Sequence, residues 1–398
     1  MMTILWHSTS FIVSKFYSFI LGTFAMNLSL FREGFLHNFF SFHFSDGCIS
    51  FWTIRMKLIT WILVFSAAGA SSSLSIAQEA AAGADTLASS TTLSGYISTS
   101  YTFSDGDGAD LGKTNENADL FKLDVVSLTL ASAQGVGEYA AGYTVGMWLG
   151  PDDQHTDETV SLTQANIDLR VPIGTGLNLK VGYFGKLIGY EVYEYTDNAF
   201  FQRGVSFFAE PTHHTGILAS YRINDDLELT AGVINDGSAV ANNNQGDSDG
   251  AYAGAINYTA PSSLGFASGT SIYMATIQEL KAFNTNAGDF WYASIGLPTG
   301  INALSIDLAA KWIDWEGGGD DEIYQIYASY ELSKKSTLNG RYEWGTSDEN
   351  SATNVKSLAV GLSYDLWENV ISRVEYLVTS VDLVNDDKTF AINLIYSF

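Results

Sequence analysis

The chain has 398 residues, 46% of them hydrophobic and 14% aromatic, with Gly at 37 positions, Pro at 5 and a single Cys. Lys and Arg number 19 against 44 Asp and Glu, a net charge of −25 that excludes nucleic acid as a partner, because phosphates demand basic patches. Abundant Gly, scarce Pro and many aromatics fit neither a disordered chain nor a helical one.

In chain order, residues 1–55 come first and are foreign to the rest. They hold Cys48, three of the six His (His7, His37, His43) and a concentration of Phe. Residues 56–77, "MKLITWILVFSAAGASSSLSIA", follow with Lys57 as a charged start, an apolar run from Leu58 to Ala68, and Ser75-Ile76-Ala77 as a small-x-small cleavage pattern. That is the signature of a secretory signal peptide, and its apolar run is too short to span a bilayer as a helix. Residues 1–55 are therefore read as an upstream extension from a translation start set too early. A membrane segment over 4–26 is the alternative, weakened by Lys15 in its middle. Cleavage after Ala77 leaves 321 residues without cysteine, carrying 15 Lys and Arg against 42 Asp and Glu. An exported chain without cysteine has no disulfide scaffold. Residues 78–90 read as a flexible lead-in.

From residue 91 the recurring signal is period two, bounded by Gly, Asn and Asp clusters, which marks strands. The first eight span roughly 91–103, 120–132, 138–149, 160–171, 176–184, 213–223, 226–235 and 251–260. The second eight span 268–278, 289–298, 302–314, 322–332, 336–345, 355–365, 369–382 and 387–398. Most exceed the ordinary sheet strand of about 5–6 residues. They match a tilted strand crossing a bilayer, about 9–11 residues. Connections alternate between long, such as "SDGDGADLGKTNEN", 185–212 and "DGSAVANNNQGDSDG", and short, such as "IGTG", "ND", "KK" and "WEN". Long loops on one side and short turns on the other describe an outer-membrane barrel.

Side-chain direction supports this. Leu358, Val360, Leu362, Tyr364 and Leu366 share a face opposite Ser357, Ala359, Gly361, Ser363 and Asp365. Phe390, Ile392, Leu394, Tyr396 and Phe398 share another, opposite Thr389, Asn393 and Ser397. A sixteen-strand barrel is too wide to fill its interior with side chains, so the apolar face must look outward. The expected fold is all-β: a transmembrane antiparallel β-barrel of about 16 strands (14–18), with long extracellular loops and short periplasmic turns.

On this assignment the lumen carries Lys122, Arg170, Lys180, Arg222, Lys311, Arg341 and Arg373, against Asp124, Asp168, Glu228, Asp307, Glu331, Glu343 and Glu375. A wall so balanced assigns the negative charge to loops such as 105–119 and 316–322, whose field fades over roughly 8–10 Å at physiological salt. A mild cation preference follows.

Sharper motifs carry little. "GDSDG" (246–250) fits G-x-S-x-G, but lies in a loop without the strand and helix of a nucleophile elbow. "DGDGAD" (105–110) and "GGGDDE" (317–322) complete no calcium loop. His213 and His214 are adjacent on a strand, so they point to opposite faces and make a poor metal pair. No enzyme, cofactor or metal is expected.

Gly189-Tyr190-Glu191, the aromatic and Arg stretch from Phe200 to Phe208, Pro211-Thr212-His213-His214-Thr215-Gly216 and Asn235-Asp236-Gly237 resemble the putative beta-barrel porin-2, or OmpL-like, family. Phe398 at the end of an alternating apolar strand, with Tyr396 and Leu394, resembles the signal read by the barrel-assembly machinery of outer membranes. The resemblance implies a bacterial outer-membrane porin for passive diffusion of small hydrophilic solutes or ions, in contact with lipid and lipopolysaccharide. It also makes a homotrimer an option. Residues 185–212 would then be the third long loop, folded inward as a constriction, with Tyr190, Glu191, Arg203, His213 and Arg222 near it. A non-conducting structural or adhesive barrel is the competing reading.

Overall fold

The computed structural model describes residues 90–105, 120–150, 160–235, 250–281, 287–315, 319–347, 353–382 and 386–398. The signal peptide, its upstream extension, residues 78–89, "DGDGAD" beyond Asp105, "GDSDG" before Gly250 and the start of "GGGDDE" lie outside the described residues.

Sixteen strands form one closed antiparallel barrel in which each pairs with its neighbours in sequence. They are β1 (Thr91–Asp105), β2 (Leu120–Ser132), β3 (Ala141–Leu149), β4 (Val160–Val171), β5 (Leu177–Gly185) and β6 (His213–Asn224). Next come β7 (Leu227–Ile234), β8 (Ala251–Thr259), β9 (Ser271–Lys281), β10 (Ala287–Leu297) and β11 (Leu304–Trp315). The ring ends with β12 (Asp320–Ser333), β13 (Ser336–Ser347), β14 (Thr353–Trp367), β15 (Val370–Val381) and β16 (Asp387–Ser397).

Closure joins β1 to β16, with Tyr96 opposite Ser397 and Asp105 opposite Lys388. Phe398 continues the ladder: its N–H donates to Gly95 at 2.9 Å, and its carbonyl accepts from the Gly95 N–H at 3.0 Å. A closed ring leaves no row of unpaired N–H and C=O groups, the condition for strands to sit in hydrocarbon.

The two faces differ as the alternation demands. On β14 the outward Leu358 and Val360 remain 48% and 47% exposed, whereas the inward Ser357 and Ala359 are buried. Aromatics mark both ends of the outer surface. Trp344 stacks with Tyr324 and Tyr342 near the long-loop end, and Tyr396 with Phe398 near the turn end. Such rings suit the two lipid–water interfaces.

Strand starts fall within one or two residues of the sequence expectation except for two, which differ by three. β3 begins at Ala141 rather than 138, because Tyr139 takes φ 55°, a left-handed conformation outside the extended region of a regular strand. β9 begins at Ser271 rather than 268, because Ser262–Ala267 forms a 3₁₀ turn before it.

A cation placed on the outward face at mid-strand should be costly. Val360→Arg is expected to lower stability by about 2–4 kcal/mol, measured by equilibrium unfolding in lipid vesicles; an unchanged midpoint would show that β14 turns this face elsewhere.

Candidate functional site

Between β5 and β6 runs a described segment, 186–212, that does not extend the sheet. Its regular pieces are a 3₁₀ turn at Tyr195–Asp197 and one helical turn, α1 (Val205–Phe208). It lies against the inner wall, docking its apolar residues in three places. Leu187 and Ile188 pack among Phe184, Leu218, Ala253, Ile277, Phe290 and Ile313 on β5–β11. Tyr193, Tyr195, Phe201 and Phe207 join Tyr96, Trp148 and Ile395. Phe200 sits on Ala359 and Leu377. The inner face is therefore not uniformly polar: where the segment covers the wall, water is excluded and apolar side chains replace polar ones.

A chain segment taken from water must satisfy its backbone. Here wall side chains do so, carboxylates for N–H groups and cations for carbonyls. Glu375 accepts from the N–H groups of Phe201 and Gln202 (3.0 Å for Gln202). Glu343 accepts from Val205 at 2.9 Å and Ser206 at 3.2 Å, the first N–H groups of α1. Arg373 donates to the carbonyls of Tyr195 at 3.0 Å and Asn198 at 2.9 Å. Lys311 donates to Ser206 at 2.9 Å, and Arg341 to Gln202 at 2.9 Å.

The segment's own charges complete the pattern. Glu191 bonds Arg341 at 2.5 Å and accepts from the Gly204 N–H at 2.7 Å. Glu194 accepts from Tyr96 at 2.8 Å and from the Trp148 indole at 3.0 Å. Glu210 pairs with Lys186 at 2.5 Å and lies 3.7 Å from Lys311. Arg203 donates to the Tyr193 carbonyl at 2.5 Å, with its guanidinium over the rings of Tyr195 and Phe207. Five cations (Lys186, Arg203, Lys311, Arg341, Arg373) thus meet five carboxylates (Glu191, Glu194, Glu210, Glu343, Glu375).

Magnitudes divide the labour. Each fully buried apolar side chain contributes about 1.5–3 kcal/mol. Buried ion pairs add little net, because desolvation offsets their attraction, but breaking one is expensive. Apolar docking therefore stabilises the segment, and the charges set its register. Two glycines are required. Gly189 has φ 102°, and a Cβ there would lie 2.6 Å from Lys186 Nζ. A Cβ on Gly204 would lie 2.6 Å from the Glu343 carboxyl carbon.

The residues expected to line a pore fall into separate groups. Lys311, Arg341, Glu343, Arg373 and Glu375 are buried beneath the segment, and Glu191 and Arg203 are buried within it. They anchor backbone rather than face water, because the segment covers the wall where they stand. Asp124, inserted at the β1–β2 bulge, is likewise buried, accepting from Ser98 and Ser100. His213 is buried, stacked on Tyr183 with Tyr193 edge-on, and does not face the passage. Arg222 and Arg170 stand at the turn end, remote from the start of the segment. They line a polar cavity of about 390 Å³ with Thr175, Asn178, Asp225 and Glu228. Asp168 and Lys180 form a half-exposed pair at 2.8 Å across β4 and β5.

Tyr190 is placed otherwise. Along 190–193 residues alternate, Glu191 and Tyr193 buried, Tyr190 and Val192 exposed. The Tyr190 ring stacks on Tyr327, centroids 3.8 Å apart, and its hydroxyl donates to Asp307 at 3.0 Å. Burial, and then the adjacent Asp307 carboxylate, push the phenol above its ordinary range, so it stays a donor. Sequence pattern had not singled out Glu194, Glu210, Lys186 or Tyr327 as partners; nothing in a single sequence pairs them.

The family model described as Putative beta-barrel porin-2, OmpL-like, matches residues 90–398. No curated protein matches the chain in sequence. Among solved structures, the outer membrane channel DcaP of Acinetobacter baumannii is similar at 13% identity and TM-score 0.56, over 77% of this chain and 97% of that one. The in-vitro folded trimer form of OmpT of Vibrio cholerae is similar at 11% identity and TM-score 0.56, over 77% and 99%. An anion-selective porin from Comamonas acidovorans is similar at 13% identity and TM-score 0.55, over 78% and 99%. These likenesses show the fold.

Removing one buried anchor should free the segment without opening the barrel. Glu343→Ala, which leaves Arg341 short of a carboxylate and two N–H groups unpaired, is expected to cost about 3–5 kcal/mol. Limited proteolysis of folded protein should then cut within 186–212; resistance equal to wild type would show that Glu343 is dispensable.

Proposed function

The chain belongs to the Putative beta-barrel porin-2, OmpL-like family, and on that premise we propose that it forms a water-filled outer-membrane channel for passive diffusion of small hydrophilic solutes or ions. The observation that carries this reading is a segment tied to the inner wall by buried ion pairs, with Val192 exposed and Tyr190 lying against the wall yet partly exposed. A segment so held narrows a passage at a defined place. In this proposal 186–212 is the constriction, and the wall charges beneath it hold it there.

The cation preference is mild in this reading. Five cations and five carboxylates, most of them buried, cancel around the segment, so they leave little net field in the passage. Much of the imbalance lies in loops, including the connections around "SDGDGADLGKTNEN" and "DGSAVANNNQGDSDG". Their field is screened within roughly 8–10 Å at physiological salt. Export through a cleaved signal at 56–77, recognition of Leu394, Tyr396 and Phe398 during assembly, and a homotrimeric state complete the proposal. The three C-terminal side chains alternate on the outer face, 37%, 48% and 46% exposed, where another protein can read them.

Single-channel recording of refolded protein tests the reading. Steady ohmic steps are expected, with a reversal potential favouring cations in a salt gradient and weakening as salt rises. Shortening 190–208 should raise the conductance. An unchanged step would place the segment outside the passage, a reversal potential favouring anions would refute the charge assignment, and a folded barrel without steps would make it a structural scaffold.

A further inference from the structure

Asp307 differs from the paired carboxylates Asp168 and Glu228 elsewhere on the inner wall. Asp168 is neutralised by Lys180 at 2.8 Å, and Glu228 lies 3.6 Å from Arg222. Asp307, by contrast, meets no Lys or Arg among the described residues. Its strand neighbours are Gly296 on β10 and Tyr327 on β12, neither of them charged. The partner its carboxylate does have is the hydroxyl of Tyr190. That tyrosine is itself unusual. Tyr327 occupies one face of its ring, yet the residue remains 36% exposed, so part of it still meets open space. A half-exposed carboxylate and a partly exposed aromatic residue therefore stand side by side on the inner surface.

Each part has a chemistry. An aromatic face attracts a cation placed over it, more strongly with partial desolvation. An unpaired carboxylate accepts charge-assisted hydrogen bonds from ammonium or guanidinium donors. The backing ring of Tyr327, buried at 4% exposure, and the hydroxyl bond to Asp307 hold Tyr190 in place before any solute arrives. Preorganisation of that kind lowers the cost of binding.

Resting on the channel reading above, we infer that Tyr190 and Asp307 form a subsite for organic cations, solutes bearing a primary amine or guanidinium group. The ring takes the cationic face of the solute and the carboxylate takes its N–H donors. Inorganic cations offer the carboxylate no N–H donors and respond mainly to its charge. The pair therefore selects among cations rather than merely between cations and anions.

The test uses full-length protein refolded into planar bilayers, carrying a potassium current, with arginine methyl ester as the probe and glucose as the neutral control. Wild-type current should be reduced by the probe and unaffected by glucose. Asp307→Asn and Tyr190→Leu should each raise the half-blocking concentration about fivefold or more, whereas Tyr190→Phe, which keeps the ring, should stay nearer to wild type. Only Asp307→Asn should also lower the preference for potassium over chloride. Folding of every variant is checked by heat-modifiable electrophoretic mobility, and if Tyr190→Leu misfolds, Asp307→Asn alone decides. Equal block in wild type and Asp307→Asn overturns the subsite. Block by glucose that Tyr190→Leu relieves and Asp307→Asn does not overturns the choice of cation. A folded wild-type barrel with no current overturns the channel reading instead, and is told apart by needing no probe.

Discussion

Backbone groups buried inside a barrel need partners, and in this protein the wall supplies them. Four N–H groups between Phe201 and Ser206 are accepted by the wall's Glu375 and Glu343, and a fifth, that of Gly204, by the segment's own Glu191. The carbonyls of Tyr195, Asn198, Gln202 and Ser206 take donors from Arg373, Arg341 and Lys311. Water normally does this for a loop, which is why loops run over surfaces. A segment brought to the inner wall must replace that water group by group, and charged side chains do so most strongly because their hydrogen bonds are charge-assisted. The placement of 186–212 depends on this exchange.

It also reorganises the electrostatics of the interior. A wall with seven cations and seven anions suggests a lumen studded with charge. Once the segment is seated, the charges it covers are spent on backbone groups and on one another. What remains exposed on the inner surface includes the Asp168–Lys180 pair, Arg170, Arg222 and Glu228 at the turn end, Glu331, and Asp307 beside Tyr190. Buried carboxylates and guanidiniums hold geometry, while the exposed groups keep their access to water. The distinction is one of solvent access, not of residue type.

The same distinction explains which site residues were legible in advance. Arg341, Glu343, Arg373 and Glu375 lie on the polar face of alternating strands, so their inward direction followed from period two. That they lie under cover could not, because cover comes from residues more than 130 positions away, as in the 150-residue separation of Glu191 and Arg341. Tyr190 was readable only as part of an aromatic interruption between strands. Its stacking on Tyr327, across 137 positions, leaves no pattern in one chain. His213 was legible as the entry to β6, but its burial depends on Tyr183 and Tyr193 coming together over the strand end.

By itself the sequence determined the barrel. Alternation at period two, strand lengths suited to a bilayer and loops alternating long with short left one closed arrangement of sixteen strands, since a ring that wide cannot bury its apolar face inward. Those are local properties, repeated along the chain, and each strand needs only its neighbours. Tertiary structure alone decided what stands inside it. The course of 186–212, the conversion of wall charges into backbone partners, and the meeting of Tyr190 with Asp307 all arise from contacts across the ring, where distance in sequence carries no information about distance in space.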